Sequence, residues 1–290
     1  MKLPLVVGVD GSDGSLTALD WAVDEAARLG LRLRIVHASL WERYEGAVPS
    51  FGNERPADGI MAERVMASAE QRARKRAPEV DVHPVLVPED AAAALLRESH
   101  EAALVVTGSS GRGAVTGLLL GSVGLSVAGR AHCPVVVVRG GAKNVRGECR
   151  RVVVGVGDPD ESAVALRFAL REAQARKCEV QAVRAWRCAE QQPADRTHAA
   201  GDTAYAHEER AAAFLAEALA EPQSEYPNVP VDRTAVEGPA HKVLPELSVD
   251  ADLLVLGSGK RHGLFGLQLG RVSHTALHHS ACPVAVVPHA

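Results

Sequence analysis

Residues 5–22, LVVGVDGSDGSLTALDWA, return as residues 152–169, VVVGVGDPDESAVALRFA, at an offset of 147. Residues 102–108, AALVVTG, return as ADLLVLG at 251–257, and HCPVVVV at 132–138 returns as ACPVAVV at 281–287. Both of these keep an offset of 149. A pattern written twice in 290 residues constrains the fold strongly, because each copy of about 140 residues is the size of one independent core. The expected domains are residues 1–141 and 150–290. Residues 142–149 are their linker, within the polar, non-periodic stretch GGAKNVRGECR at 140–150.

The order of elements inside one copy is legible. LVVGVD is a short, continuous apolar strand. SLTALDWAVDEAARLG has apolar residues at helical spacing and stops at Gly30. LRLRIVHA is a second strand. After a long polar loop, MAERVMASAEQRARKRA is a second helix, followed by the strand VDVHPVLV. The helix AAAALLRESHEA, the strand ALVVTG, the helix SVGLSVAGRA and the strand PVVVV complete the copy, and the second copy repeats the order. Strands alternating with helices predict βαβ units. Strands apolar on both faces predict helices on both sides of a parallel sheet. The fold class is therefore α/β: two tandem Rossmann-like open five-stranded parallel sheets. In such sheets ligands bind beyond the carboxyl ends of the strands, where the strand order reverses.

Composition excludes several functions. Aromatic residues are 3%, so the cores are aliphatic, and the formal charge of −4 gives no footing for nucleic acid. The basic run RARKR at 72–76 falls in a helix and reads as a solvated face. No apolar run approaches the roughly 20 residues that span a bilayer. The N-terminus carries no signal-peptide pattern, and a cytoplasmic protein is expected. Cys133, Cys149, Cys178, Cys188 and Cys282 form no CxxC pair, which argues against a disulfide framework or a zinc site. Cys133 and Cys282, each before a proline, read as packing residues.

Residues 108–123, GSSGRGAVTGLLLGSV, crowd five glycines directly after an apolar strand. Glycine costs conformational entropy, so the density needs a reason. Two phosphate motifs fail. In GSGKRHG at 257–263, Leu254 replaces the first P-loop glycine and Arg261 the Ser/Thr. GVDGSD and GVGDPD lack the third Rossmann glycine. A helix start at Gly121 and Ser122 remains as an anion seat, with bare amides, no obstructing side chain and a serine hydroxyl. Arg112 adds charge near its mouth. Asp10, at the end of the first strand, is placed for a ribose hydroxyl or, through water, a phosphate-bound metal. Ser122 serves equally well as an N-cap with no ligand, so the residues alone leave both readings open. His37, ending the second strand, reads as a buried, hydrogen-bonded imidazole. His132, His278 and His279 read as helix-end residues.

Taken together, G-x2-G-x9-G-S at Gly108, Gly111, Gly121 and Ser122, the opening VVGVDGS…ALDWA and the close CPVVVV resemble the ATP-binding branch of the universal stress protein family. The likeness covers the whole chain twice. It implies the adenine nucleotide alpha hydrolase-like form of the fold. In the implied site Gly8, Val9, Ala38 and Thr107 line the adenine and ribose, and Asp10 meets the nucleoside. Gly108, Gly111, Gly121, Ser122 and Val123 hold the phosphates, and Mg2+ rides on them. Gly124 stands where the family often has Ser or Thr. The second copy departs further. Lys260 replaces a motif glycine between Gly257 and Gly270, Arg271 replaces the serine, and Gly157 replaces Asp10, while Ser273 keeps a later hydroxyl. An altered second site is expected there. The resemblance also implies pairing of the final strands in an intramolecular pseudo-dimer, with homodimerisation open as well. Three functions follow: a stress-response module with ATP as regulatory ligand, a weak ATPase, or a nucleotide-independent scaffold. Another adenine ligand, such as a cyclic nucleotide, stays open.

Overall fold

The computed structural model describes residues 2–39, 57–109, 120–187, 200–258 and 269–289. It divides into two units, Met1–Arg139 and Gly140–Ala290. In the first unit the order is β1 (Leu5–Gly8), α1 (Asp13–Leu29), β2 (Leu33–Ala38), α2 (Ala57–Arg76), β3 (Val82–Val87), α3 (Ala91–Glu98), β4 (Leu104–Gly108), α4 (Ser122–Arg130) and β5 (Val135–Val138). All strands are parallel, in the order β3-β2-β1-β4-β5. The second unit opens with a short α5 (Ala142–Val145). There follow β6 (Arg151–Gly155), α6 (Pro159–Arg176), β7 (Glu179–Trp186), α7 (Ala200–Glu225), β8 (Val231–Glu237), α8 (Ala240–Leu247), β9 (Leu253–Gly257), α9 (Arg271–His279) and β10 (Val284–Val287). Its parallel order is β8-β7-β6-β9-β10. The expected α/β class and paired five-stranded sheets are what the chain forms.

The strands sit where their apolar runs require. Leu5, Val6 and Val7 of β1 are wholly buried, as are Val152, Val153 and Val154 of β6. Helices on both faces leave such central strands no solvent side. Helix α1 starts at Ser12, whose side chain accepts from the Ser15 amide, and ends at Gly30. There φ is +61° and the amide donates to the Ala26 and Ala27 carbonyls. That left-handed turn suits glycine, and in the second unit Lys177 takes the same turn at φ +54°.

Two stretches do more than their composition suggests. The basic run on α2 clasps α1. Arg72 donates Nε and Nη2 to the Asp20 carboxylate at 2.6 and 2.7 Å, and Arg76 does the same to Asp24. These bidentate pairs are exposed, so each contributes at most about 1 kcal/mol, but they fix how the two helices lie together. In the stretch read as a linker, the buried Asn144 Nδ2 donates to the carbonyls of Val249 and Ala251, both at 2.8 Å, and of Ser248 at 3.4 Å. The Cys149 amide donates to Asp252 at 2.8 Å. This segment therefore supplies the hydrogen bonds of the turn that leads into β9.

Asn144→Ala would strand those carbonyls. The expected loss is about 1–3 kcal/mol, read as a lower urea midpoint for the second unit in the full chain. A change under about 0.5 kcal/mol would contradict this role for the side chain.

Candidate functional site

In the first unit the chain passes from β1 to β2 on one side and reaches β4 on the other, so the carboxyl ends of β1 and β4 diverge into a crevice. Gly8, Val9 and Asp10 leave β1 there, Ala38 ends β2, and Thr107 and Gly108 end β4. The Asp10 carboxylate accepts from the Ser12 amide at 3.0 Å and from the Ser12 hydroxyl at 2.6 Å. Its own amide donates to Ser15 Oγ at 3.2 Å. Asp10 is thus oriented by the turn that starts α1. His37 is buried, and its Nδ1 lies 2.7 Å from the Val9 carbonyl. A carbonyl only accepts, so Nδ1 carries the proton there. His37 is the buried, hydrogen-bonded imidazole expected, and it ties β2 to β1 at the mouth of the crevice.

Gly108 is where α1 meets β4. A Cβ at this position would lie 2.6 Å from the Gly14 carbonyl oxygen and 3.1 Å from the Ser15 amide nitrogen. Only glycine lets the strand end close on the helix start. Gly124, in the first turn of α4, faces the same strand end: a Cβ there would stand 3.4 Å from Thr107 Oγ1 and 3.5 Å from the Gly108 carbonyl. Thr107 is 4% exposed, and its hydroxyl has no hydrogen-bond partner among the described residues. Burying a hydroxyl unpaired costs free energy, so this atom marks the crevice floor as incomplete by itself.

The start of α4 corrects one reading of Ser122. The N-cap is Gly121, at φ −63° and ψ 148°, with no side-chain capping bond, and Ser122 is the first helical residue. Ser122 therefore does not serve as the cap. The first intrahelical bond runs from the Leu125 amide to the Gly121 carbonyl at 3.2 Å. Helix geometry leaves the amides of Ser122, Val123 and Gly124 without an intrahelical partner. By contrast, Ser12 caps α1, and Asp90 caps α3 by accepting from the Ala92 and Ala93 amides. The Gly121 amide itself donates to the Ser109 carbonyl at 2.7 Å, which sets the start of α4 beside the end of β4. The crevice thus gathers Gly8, Val9, Asp10, Ala38, Thr107, Gly108, Gly121, Ser122, Val123 and Gly124. Gly111 and Arg112 lie outside the described residues.

Chemically, the free amides at the start of α4 are donors suited to an anion, and the Asp10 carboxylate is an acceptor suited to hydroxyl groups. The universal stress protein family's sequence profile matches residues 2–139 and again residues 148–288. The chain belongs to that family. It is similar over its length to universal stress protein Rv2005c of Mycobacterium tuberculosis, with 34% identity covering 97% of this chain and 96% of the relative. Universal stress protein Rv2623 of the same organism is 30% identical, covering 98% and 96%. In fold it is similar to a universal stress protein from Archaeoglobus fulgidus, at a TM-score of 0.67 and 17% identity, covering 99% of this chain and 98% of that one.

The second half of this universal stress protein builds the same crevice with other groups. Gly257 ends β9, Gly270 caps α9 with no side-chain bond, Arg271 is the first helical residue, and Ser273 is buried. Lys260 lies outside the described residues. Gly157 stands in the place of Asp10. Arg184, on β7, replaces His37: its Nη1 donates to the carbonyls of Val156 and Gly157 at 3.1 and 2.5 Å, and its guanidinium lies 4.3 Å over the Phe214 ring. Neither Arg184 nor the Ser12 and Ser15 contacts to Asp10 stood out in the sequence. The signal for Arg184 was available, since aligning the copies sets it opposite His37.

Cys133 and Cys282 are packing groups, as expected. Burial pushes the Cys133 thiol up to about 12, and Cys282 is fully buried. Among the described residues no group of three or more His, Cys, Asp or Glu could hold a metal ion, and no helix is long and apolar enough to cross a membrane.

Two of these glycines differ in the room they leave for a side chain: Gly108 at the end of β4 and Gly270 before α9. Gly108→Ala is expected to destabilise the first unit by about 1–3 kcal/mol through overpacking against Gly14. A Cβ on Gly270 meets nothing within 4 Å, so Gly270→Ala is expected to cost no more than the poorer N-cap, about 0.5–1 kcal/mol. Thermal unfolding of the two variants side by side checks the contrast.

Proposed function

We propose that the first unit binds an adenine nucleotide, ATP with Mg2+, as a regulatory ligand of a stress-response protein. The observation that carries this reading is the uncapped start of α4 beside the unpaired Thr107 hydroxyl. A triphosphate tail fits the first element: the amides of Ser122, Val123 and Gly124 with the Ser122 hydroxyl form a donor set for anionic oxygens, favoured by the positive end of the helix. Gly108 keeps the adjoining backbone clear, and the sequence motif adds Gly111 and Arg112 to this reading. A nucleoside fits the second. Thr107 offers a hydroxyl, and Asp10, held by Ser12, offers a carboxylate oriented for ribose. Gly8, Val9 and Ala38 supply a surface for the base. The metal's charge would be met by phosphate and water rather than by a protein ligand cluster.

Such a ligand regulates only through unequal affinity for two states of the protein. Gly124 carries no hydroxyl, so the phosphate seat has one donor fewer than a serine there would give, a difference of roughly 1 kcal/mol.

Calorimetry of the full chain with Mg·ATP tests the site. Ser122→Ala removes one donor and is expected to weaken binding about five- to tenfold, the equivalent of roughly 1–1.4 kcal/mol. Gly121→Val keeps an allowed extended backbone at the cap but plants a branched side chain over the amides, and is expected to abolish detectable binding. Unchanged affinity in both variants would overturn the reading.

A further inference from the structure

We propose that the carboxyl edge of the second unit's sheet is a site for a multiply charged phosphate anion, recognised by charge and not through a nucleoside, by Arg187, His241, Lys242 and Arg271. This rests on the second unit alone and does not require nucleotide binding by the first.

The two copies have the same backbone plan at this edge and opposite charge. Strand registers match, Gly8 pairing with Val36 and Gly155 with Val183, so Arg184 stands on β7 where His37 stands on β2. Helices α3 and α8 begin at equivalent alanines, and α4 and α9 begin directly after Gly121 and Gly270. Around the first edge stand Asp10, Asp90 and Glu89, the last paired with Arg97. Their counterparts are Gly157, Pro239 and Gly238. In the same sense Ala92 becomes His241, Ala93 becomes Lys242 and Ser122 becomes Arg271, while Arg187 follows directly on β7. Acids do stand on the neighbouring elements: Asp158 before α6, Glu237 at the end of β8, and Glu208 and Glu209 on α7, whose His207 stacks on Trp186; all four are exposed. Among the described residues Arg187, Lys242 and Arg271 are exposed and form no ion pair.

These side chains act on one another. Partial burial lowers the pKa of His241 below its ordinary value, and Arg271, Arg187 and Lys242 lower it further. Helix α8 packs against both β7 and α9, so these groups, from α8, α9 and the end of β7, stand at one end of the sheet. Folding by itself selects against this arrangement. His241 and Lys242 lie in the first turn of α8, and Arg271 opens α9, where the helix field disfavours cations. Asp90, which caps α3, has no equivalent on α8, whose cap Pro239 makes no side-chain bond. Like charges crowded at unfavourable helix positions, without carboxylate partners, are what an anion would neutralise.

The place and the donors select the ligand. The cations border a crevice at strand ends, where this architecture receives small ligands, rather than a flat face suited to a protein. Guanidinium and ammonium groups suit the geometry of phosphate oxygens, and several of them together favour an anion of several charges. The nucleoside end is disfavoured. Arg184 spans the Val156 and Gly157 carbonyls, and no carboxylate stands at position 157 to accept from a ribose.

Inorganic tripolyphosphate is the probe, titrated calorimetrically into the full chain carrying Gly121→Val, so that the first unit's phosphate seat does not contribute. Binding is expected, tighter than that of orthophosphate by about tenfold or more, and falling with added salt. ATP and GTP should bind this edge alike, since their tails are shared, and adenosine should not bind it. The variant His241→Ala/Lys242→Ala/Arg271→Ser carries the residues that the first unit has at these positions and should fold. It is expected to lose about tenfold or more in tripolyphosphate affinity. In the parent, tripolyphosphate should also move the NMR titration midpoint of His241 upward. Equal affinity of parent and triple variant, an effect matched by sodium chloride at equal ionic strength, or an unmoved His241 midpoint would each overturn the proposal. Loss of adenine selectivity at the first unit alone would leave it standing.

Discussion

The parallel pairing of β1 with β4, Leu5 beside Leu104 and Val7 beside Val106, is the constraint from which the rest of the first unit follows. Parallel neighbours cannot be joined by a tight turn. The chain therefore leaves β1 through α1 to β2, and comes back to β4 only after α2, β3 and α3. The helices that carry it must cover both faces, which is why these strands are apolar throughout. They must also leave in opposite directions from the adjacent ends of β1 and β4, which opens the crevice. Gly108 shows how tightly the two sides are then drawn: the end of β4 lies against the Gly14 carbonyl, with no room for a methyl group. The pairing of β6 with β9 imposes the same outcome on the second unit.

Because the backbone makes the crevice, side chains are free to change what it accepts. In one copy Asp10 is held by Ser12, His37 bonds a strand carbonyl, and α4 begins without a cap. In the other a guanidinium replaces the imidazole, a glycine replaces the carboxylate, and an arginine replaces the serine. Few of these exchanges touch the cores: Leu5 and Val152, Leu104 and Leu253, Val135 and Val284 remain buried or nearly so. Duplication thus conserves packing, which depends on apolar volume, while the polar rim diverges at little cost in stability.

The legible part of the chain was the part governed by periodicity and by single-residue signals. Apolar runs and helical spacing gave the order of strands and helices, and Gly30 marked the end of α1. What escaped depended on partners distant in sequence. RARKR looks like a solvated face until Asp20 and Asp24, 52 residues away, are seen to grip Arg72 and Arg76. The polar stretch with Asn144 looks like slack chain, yet it satisfies carbonyls more than 100 residues on. At the site, the glycine pattern located the crevice, but the role of Ser122 turned on a shift of one residue, which composition does not resolve. The family resemblance sets Thr107 at the nucleoside end, but only the packed structure reveals that its hydroxyl has no partner.

That last distinction bears on how such a crevice is kept. A core residue is retained because its removal leaves a cavity, and its neighbours report the loss whether or not a ligand exists. The Thr107 hydroxyl is different: buried without a partner among the described residues, it costs stability until something else supplies its hydrogen bond. The first amides of α4 beside it are donors that the helix itself does not use. The cations around α8 and α9 obey the same logic with the sign of charge made explicit, each raising the cost of the next. Both halves therefore hold unfavourable polar groups at the same topological place, donors in one and cations in the other. A packed fold gains nothing from either, and that is the physical ground on which a ligand is proposed for each.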